Sequence, residues 1–479
     1  ERLNVLRRDW IMVAREDEIA EPGSYLLVEL DGDPLIVVRG RDSILRAFHN
    51  VCRHRGTAVA EEPCGRVVRF QCPYHAWIYD LDGSLVRAKH TDDLEDFRFE
   101  DNGLAAVALD TWQGFIFLNL DIDTEPLAGQ LGDLEDHWQR FDFSTLRRAR
   151  RIEYDVRANW KFIAENYSEC YHCPGVHPQL NKLTPYDVGG DYDPDGAWQG
   201  GWMELVEAAE TMSLGESRAV GTEDGDGSAH GRPPMRGITA RDERCVYYYL
   251  VWPTTFMSIH PDYLLVHRLV PVAPDRTTVI CDWLFEAETM ATPGIDPSDA
   301  LAFWDLTNSQ DWHVCELQQR GTRSSSWIAG RYSNQEASVH AFDNMVADRY
   351  TGATGWTRRI VREDYSRPTP RENRGITDGV GGPAQSASTP VSRPMATRRR
   401  SSSEPRPRRC QRSPTTMANS AAGRSDSLDR RPTATILRSP SLASCSTTRT
   451  ASRSSGRQPR ARRSCDVRVD SPSSSKYRP

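Results

Sequence analysis

Apolar positions recur along the chain in two rhythms, and the change of rhythm divides it. From residue 10 to 125 the apolar runs are short: Tyr25–Glu29, Leu35–Val38, Leu45–His49, Val67–Gln71 and Gly114–Leu118. Turn signals separate them, namely Asp31-Gly32-Asp33, Arg39-Gly40, Asp82-Gly83 and Asp101-Asn102-Gly103. This spacing predicts an all-β sandwich or small barrel. Leu131–Arg140 then reads as a short helix. A second helix is predicted from Trp160 to about Tyr171, with Pro174-Gly175 breaking it. Residues 179–240 read as loop-rich, with Met212–Pro234 as a surface loop or lid. Strands resume at Val246–Trp252, Thr255–His260, Leu264–Val270 and Thr278–Phe285, alternating well enough for an antiparallel sheet. Pro297–Arg320 is a long helix, with Asp296 or Ser298 as cap and Gly321 just beyond its end. The expected class is α+β: an all-β domain over 1–130, then a domain over 131–365 with an antiparallel sheet flanked by helices. A disordered tail over 366–479 completes the chain.

Composition sharpens that division. All 13 Trp, 13 Phe and 12 His precede residue 370. From Arg371 onward 23 Lys and Arg face 7 Asp and Glu, so the tail carries +16 and the body −23 of a net −7. An acidic body argues against nucleic acid or an anionic membrane as its partner. No apolar run reaches the length of about 18 residues needed to span a bilayer. The basic Ser/Arg/Pro tail reads either as a nucleic-acid or partner-binding arm, or as a disordered or out-of-frame segment with no part in activity; the second reading is favoured. The start, ERLNVLRRDW, resembles mid-domain sequence, so further residues are expected before it. The 11 cysteines are scattered too unevenly for a disulfide framework, which fits a reducing cytoplasm and metal-binding thiols. No GxGxxG or phosphate-binding loop appears.

Two clusters carry candidate chemistry. Within the predicted helix, Glu165, Asn166, Glu169 and His172 are three to four apart and share a face. An acid, an amide, an acid and an imidazole in a Trp-, Phe- and Tyr-rich segment are costly to bury unless paired or metal-bound. The break lets His177 fold back toward His172, as two imidazoles and a carboxylate do around iron; two ordinary half-buried histidines are the alternative. Upstream stand Cys52-Arg53-His54 and Cys72-Pro73-Tyr74-His75. Two thiolates and two imidazoles on facing loops suit structural zinc, or an iron–sulfur cluster with Cys on one iron and His on the other, or arise by chance.

The surrounding text, HRG after the first pair and CPYHAWIYDLDG around the second, closely resembles Rieske domains. The added cysteines of cytochrome bc-type Rieske proteins are absent: Thr57, Ala58 and Ala76 stand there. Downstream, Asn159-Trp160-Lys161, Glu165-Asn166 and the Glu169-x-x-His172-x4-His177 run resemble the α subunits of Rieske non-haem iron oxygenases, over roughly residues 5–350. The resemblance implies a [2Fe-2S] cluster on Cys52, His54, Cys72 and His75. It implies mononuclear Fe(II) on His172, His177 and Asp311, the last on the late helix. Glu169 takes the role of bridging a neighbouring subunit's Rieske imidazole to the iron-ligand histidine, with Asn166 beside it. Many aromatic-ring dioxygenases carry Asp at the Glu169 position. A homotrimer, an NAD(P)H-dependent reductase or ferredoxin as electron donor, O2 and a small-molecule substrate are implied with it.

The text ENYSECYHCPGVHP looks most like the branch acting on choline, carnitine and glycine betaine. N-demethylation or hydroxylation of a betaine-like quaternary amine is therefore expected. Ring hydroxylation of an aromatic compound is the runner-up, and a Rieske electron carrier without oxygenase activity is the alternative of another class. A trimethylammonium group is held by aromatic faces. The candidates are Trp198, Trp202, Tyr249, Trp252, Phe256 and Tyr263, each also readable as core. Cys64, Cys170 and Cys173 are expected as buried thiols. His260 and His267 are expected as packing or pocket-wall residues, and His313 faces away from Asp311.

Overall fold

The computed structural model describes residues 1–214, 232–293 and 295–352. Residues 215–231 of the expected loop or lid, residues 353–365 of the expected second domain and the expected tail over 366–479 lie outside the described residues.

The first part is all-β. Strands β1 (Ile11–Arg15), β2 (Ser24–Leu30), β3 (Asp33–Arg39), β4 (Leu45–His49) and β5 (Cys64–Arg66) join β9 (Ala106–Trp112) and β10 (Phe115–Asn119) in one sheet, ordered β1-β10-β9-β4-β3-β2-β5. Leu35, Ile36, Val37 and Val38 of β3 are fully buried, as a central β-branched strand covered on both faces should be. Strands β6 (Phe70–Gln71), β7 (Ile78–Tyr79) and β8 (Leu85–Arg87) form a small second sheet. The two Cys/His motifs occupy the segment after β4 and the β6–β7 loop.

The second part holds a seven-stranded antiparallel sheet. Its strands are β11 (Leu146–Val156), β12 (Gly189–Asp191), β13 (Trp198–Glu204), β14 (Cys245–Val251), β15 (Thr255–Ile259), β16 (Leu264–Ala273) and β17 (Arg276–Glu286), ordered β11-β17-β16-β15-β14-β13-β12. Because side chains alternate across a strand, its two faces have different fates. Trp198, Tyr247, Tyr249, Met257 and Val266 share a core with Trp10, Met12, Phe115 and Phe117 of the first sheet. On the opposite face Gln199, Tyr248, Leu250 and Ser258 lie toward the helices that carry the candidate metal ligands.

Those helices differ in part from expectation. Leu131–Arg140 resolves into two single-turn helices, α1 (Leu127–Leu131) and α2 (Leu134–Trp138). Helix α3 begins at Trp160, where the Asn159 side chain accepts the Lys161 amide at 3.0 Å, but it ends at Tyr167 rather than Tyr171. Ser168 ends it: its hydroxyl donates to the Ala164 carbonyl at 2.6 Å and competes with continuation of the ladder. Pro174 does not break this helix; it opens a separate turn, α4 (Cys173–Val176), followed by α5 (Pro178–Leu183). After the short α6 (Ala287–Ala291), helix α7 (Ser298–Gly321) starts where Asp296 accepts from the Ser298 amide at 2.9 Å and hydroxyl at 2.8 Å. It buries Ala300, Phe303, Trp304, Thr307, Asn308, Trp312 and Cys315, a three-to-four stripe that also contains position 311. Helix α8 (Ala337–Thr351) covers α3 with Phe342.

The cysteine expectations need correction. Cys170 and Cys173 are bonded to each other, with Cα atoms 5.0 Å apart, and Cys64 is half-buried and disulfide-bonded.

Candidate metal centres

The two Cys/His loops are built alike. In the first, the Cys52 amide donates to the Thr57 carbonyl at 2.8 Å and the Gly56 amide to the Cys52 carbonyl at 3.0 Å. In the second, the Cys72 amide donates to the Trp77 carbonyl at 2.8 Å and the Ala76 amide to the Cys72 carbonyl at 3.1 Å. Gly56 and Ala76 sit at equivalent places with positive φ, 74° and 57°. The result separates soft from borderline donors. Cys52 and Cys72 are buried side by side, and burial pushes the Cys72 thiol up. His54 and His75 stand exposed at the tip, ring centroids 4.5 Å apart, with His54 stacked on Trp77 at 4.9 Å. Tyr79, buried beneath, accepts the Arg53 amide at 3.0 Å, so its own hydrogen is free for the Cys52 sulfur 3.2 Å away. A buried thiol pair under an exposed imidazole pair is the donor set of a [2Fe-2S] cluster of Rieske type.

The second centre gathers residues far apart in sequence. His172 follows the turn after α3, His177 joins α4 to α5, and Asp311 lies on α7. Their donor atoms all fall within 4.8 Å of one another. The two Nε2 atoms are 3.2 Å apart, and Asp311 Oδ1 lies 2.7 Å from that of His177 and 3.3 Å from that of His172. Each Nδ1 already faces an acceptor: Glu169 Oε1 at 2.6 Å for His172, and Gln310 Oε1 at 2.8 Å for His177. As metal ligands, both rings would therefore keep hydrogen on Nδ1 and turn Nε2 lone pairs inward. Those two lone pairs would converge with a carboxylate oxygen, the Asn166 amide making a long 3.5 Å contact with His172 beside them. Such a knot is repulsive without a cation at its centre, and two imidazoles with one carboxylate suit Fe(II) with open positions left over. A proton on an imidazole is the alternative cation there. Burial pulls the His172 imidazolium down, but Asp311 and Glu169 more than offset it and push it up to about 10. Burial raises the Asp311 carboxyl, and hydrogen bonds from His172 and His177 hold it below the usual range.

Glu169 and His172 are not on a helical face, as the spacing implied; the tight turn beyond Tyr167 brings them together. Glu169 also accepts the backbone amides of Tyr171 and, at 3.2 Å, His172. Gln310 was not among the expected site residues. Its only signal was its place beside Asp311 on a polar break in α7. His313 is exposed, as expected. His267 packs against the site with Nε2 3.0 Å from Asn308, and His260 is buried against Tyr263. Burial holds His260 down at about 3 and His267 at about 4, so both are neutral.

A cavity of about 960 Å³ opens over the three ligands, lined among others by Tyr167, Gln199, Tyr248, Leu250 and Trp304. Of the six expected aromatic-box residues only Trp202 lines it. Strand parity explains two of the others, and local packing the remaining three. Trp198 and Tyr249 point to the opposite face, into the core shared with the first sheet. Phe256 is on the cavity face but sits under Tyr167, stacked at 4.1 Å. Trp252 lies past the end of β14 and donates to Asp9 at 2.8 Å. Tyr263 is roofed by Trp304, whose indole donates to its hydroxyl at 2.7 Å. The aromatic lining is instead Tyr167, Tyr248 and Trp304, with Tyr186 and Trp202 also in the wall.

Two family models match the chain. Residues 9–98 match the Rieske [2Fe-2S] domain family, and residues 143–352 match the ring hydroxylating alpha subunit catalytic domain. A glycine betaine monooxygenase oxygenase subunit of Chromohalobacter salexigens is 32% identical over 365 residues, covering 73% of this chain and 82% of that protein. Its counterpart in Pseudomonas aeruginosa is 30% identical over 376 residues, covering 75% and 87%. A solved quaternary ammonium Rieske monooxygenase, described for carnitine oxidation and inter-subunit electron transfer, superposes with TM-score 0.60 at 26% identity, covering 72% of this chain and 90% of that one.

Proposed function

Because the chain belongs to the Rieske-type ring-hydroxylating α-subunit family of oxygenases, we propose that it oxidises a small quaternary amine, using O2 and electrons from a separate reductase. Its cofactors are a Rieske [2Fe-2S] cluster and a mononuclear iron. Cys52, His54, Cys72 and His75 hold the first; His172, His177 and Asp311 hold the second. Iron bound there supplies activation of dioxygen. The chain's own residues position it. Glu169 and Gln310 fix the tautomers and planes of the two imidazoles, and Tyr167, Tyr248 and Trp304 offer ring faces to a cation beside them.

The observation that carries the substrate class is the charge of the cavity. Its described lining includes Glu169, Asp187, Asp191 and Asp311 and no Lys or Arg. An aromatic acid would enter without a cationic partner, whereas an ammonium ion meets carboxylates and rings. Relatives named for glycine betaine and carnitine point the same way.

His54 and His75 are exposed at the tip of the first domain. That suits passage of electrons to a neighbouring copy in a homotrimer, with Glu169 as the acceptor-side link, and a reductase or ferredoxin as donor. The test is anaerobic reduction followed by O2 with a panel of quaternary amines and aromatic acids. Substrate-dependent O2 uptake with amines, and formaldehyde release if a methyl group is removed, is expected. Coupled product from aromatic substrates alone would reject the amine reading, and O2 uptake indifferent to any substrate would favour a plain electron carrier.

A further inference from the structure

The cavity wall holds two buried polar atoms without partners, and their surroundings fix what each lacks. Gln199, 3% exposed, lies on β13 opposite Leu250 of β14; Tyr248 lies two residues along β14, opposite Gly201. Both side chains leave the same face of the sheet, as diagonal cross-strand neighbours. The Ser168 hydroxyl gives its single hydrogen to the Ala164 carbonyl, so its oxygen accepts. The Gln199 group 2.6 Å from that oxygen must then be the amide nitrogen. The orientation leaves Gln199 Oε1 as a buried acceptor with no donor. The Tyr248 hydroxyl is likewise buried without a hydrogen bond. The Thr184 hydroxyl is at most a weak donor toward it, outside good hydrogen-bond geometry, and is itself turned to the Leu180 carbonyl at 3.4 Å. Both residues line the cavity above His172, His177 and Asp311. Unpaired buried polar groups are costly, and a ligand that completes them recovers that cost on binding.

We propose that Gln199 and Tyr248 form a hydroxyl-reading subsite, so that the preferred substrate is a quaternary amine bearing an alcohol group. One O–H satisfies both orphans: it donates to Gln199 Oε1 and accepts from the Tyr248 hydroxyl. A carboxylate alone does not, because it has no hydrogen to donate and would set an anionic oxygen against the Gln199 carbonyl. No Lys or Arg stands among the described lining residues to offset that repulsion. A hydrocarbon in the same place would leave both groups unpaired. Tyr167 takes no part, since its hydroxyl is already 2.9 Å from Ser258 Oγ. The inference rests on the quaternary-amine reading and adds to it which such amine is favoured.

The test compares choline with its isostere propyltrimethylammonium and with glycine betaine. It uses the iron-loaded full chain, for anaerobic binding and for kcat/KM. Sites built to hydrogen-bond a hydroxyl reject analogues lacking it by large factors, so choline should be favoured over the isostere by at least about a hundredfold. Tyr248→Phe and Gln199→Leu should each cut that ratio to below about tenfold. They should weaken choline far more than the isostere, a pattern that general misfolding does not give. Equal handling of choline and the isostere by the unaltered protein overturns the subsite while leaving the amine oxygenase reading standing. So does an undiminished ratio in both variants, or glycine betaine used as well as choline. If no trimethylammonium compound is bound or oxidised, the reading of the function and this inference fall together.

Discussion

Removing the Glu169 carboxylate should weaken the mononuclear centre more than removing the Gln310 amide, although each touches one imidazole Nδ1. Glu169 Oε1 lies 2.6 Å from His172 Nδ1, and Gln310 Oε1 lies 2.8 Å from His177 Nδ1. The first contact is charge-assisted and the second is neutral. A hydrogen bond to an ionised group contributes about 1.5–3 kcal/mol and a neutral one about 1 kcal/mol. Glu169→Ala should therefore lower Fe(II) affinity by roughly 10- to 100-fold, the range usual for losing an outer partner of a ligand histidine. Gln310→Ala should lower it about fivefold. Glu169→Gln keeps an acceptor but not the charge and should fall between them. The assay is anaerobic titration of iron-depleted protein with Fe(II) against a coloured chelator, with the Rieske absorption followed in the same cuvette. That absorption should not change in any variant. A larger loss from Gln310→Ala than from Glu169→Ala, or no loss from either, would refute the reasoning from tautomer and charge.

Tyr79→Phe removes the O–H aimed at Cys52 Sγ, 3.2 Å away. Hydrogen bonds to cluster sulfurs favour the reduced, more negative state, so the Rieske midpoint potential should drop by about 40 mV, equivalent to about 1 kcal/mol for one electron. An unchanged potential in redox-monitored EPR would count against that contact. Glu165, largely buried on α3, is pushed up to about 7 by burial and by the charge of Asp343. A carboxyl raised on folding contributes stability that is fully present below its unfolded value of about 4.5 and is lost as pH rises through 7. Glu165→Gln should therefore stabilise the protein at pH 8 by up to about 3 kcal/mol and leave it little changed at pH 4. Melting curves across pH in which both proteins track each other would contradict this.

How much of this could be read from the residues alone follows from which interactions are local. The two Cys/His loops are short, and each closes on itself by backbone hydrogen bonds, so their spacing carried the centre nearly whole. His172, His177 and Asp311 were legible as a set through resemblance, since nothing local joins Asp311 to residues more than 130 positions earlier. The partner of His177 was not legible, because Gln310 acts only through a tertiary contact. The helix carrying Glu169 was placed too long because a serine at its end looks unremarkable in sequence; only the geometry shows its hydroxyl on the Ala164 carbonyl. The aromatic box failed on parity. Trp198 and Tyr249 read equally well on either face of a strand buried on both sides, and the pattern alone does not say which face meets the helices. Strand β11 was not recognised at all. Its LRRARRIEYDV text is mostly charged, and it is held at the sheet edge by pairs such as Arg151 with Asp282 at 2.6 Å and Arg148 with Glu18 at 2.9 Å. The Cys170–Cys173 bond ran against the expectation of two separate thiols; adjacent turns place the two sulfurs together.

The most direct measurement is iron and acid-labile sulfide content of the purified chain and of Asp311→Ala, read together with EPR of the reduced protein. Two centres on one polypeptide require iron and sulfide in a ratio of about three to two, falling to about two to two in the variant with the Rieske signal intact. Protein that binds iron without sulfide, or a variant that keeps the full iron complement, would contradict the account.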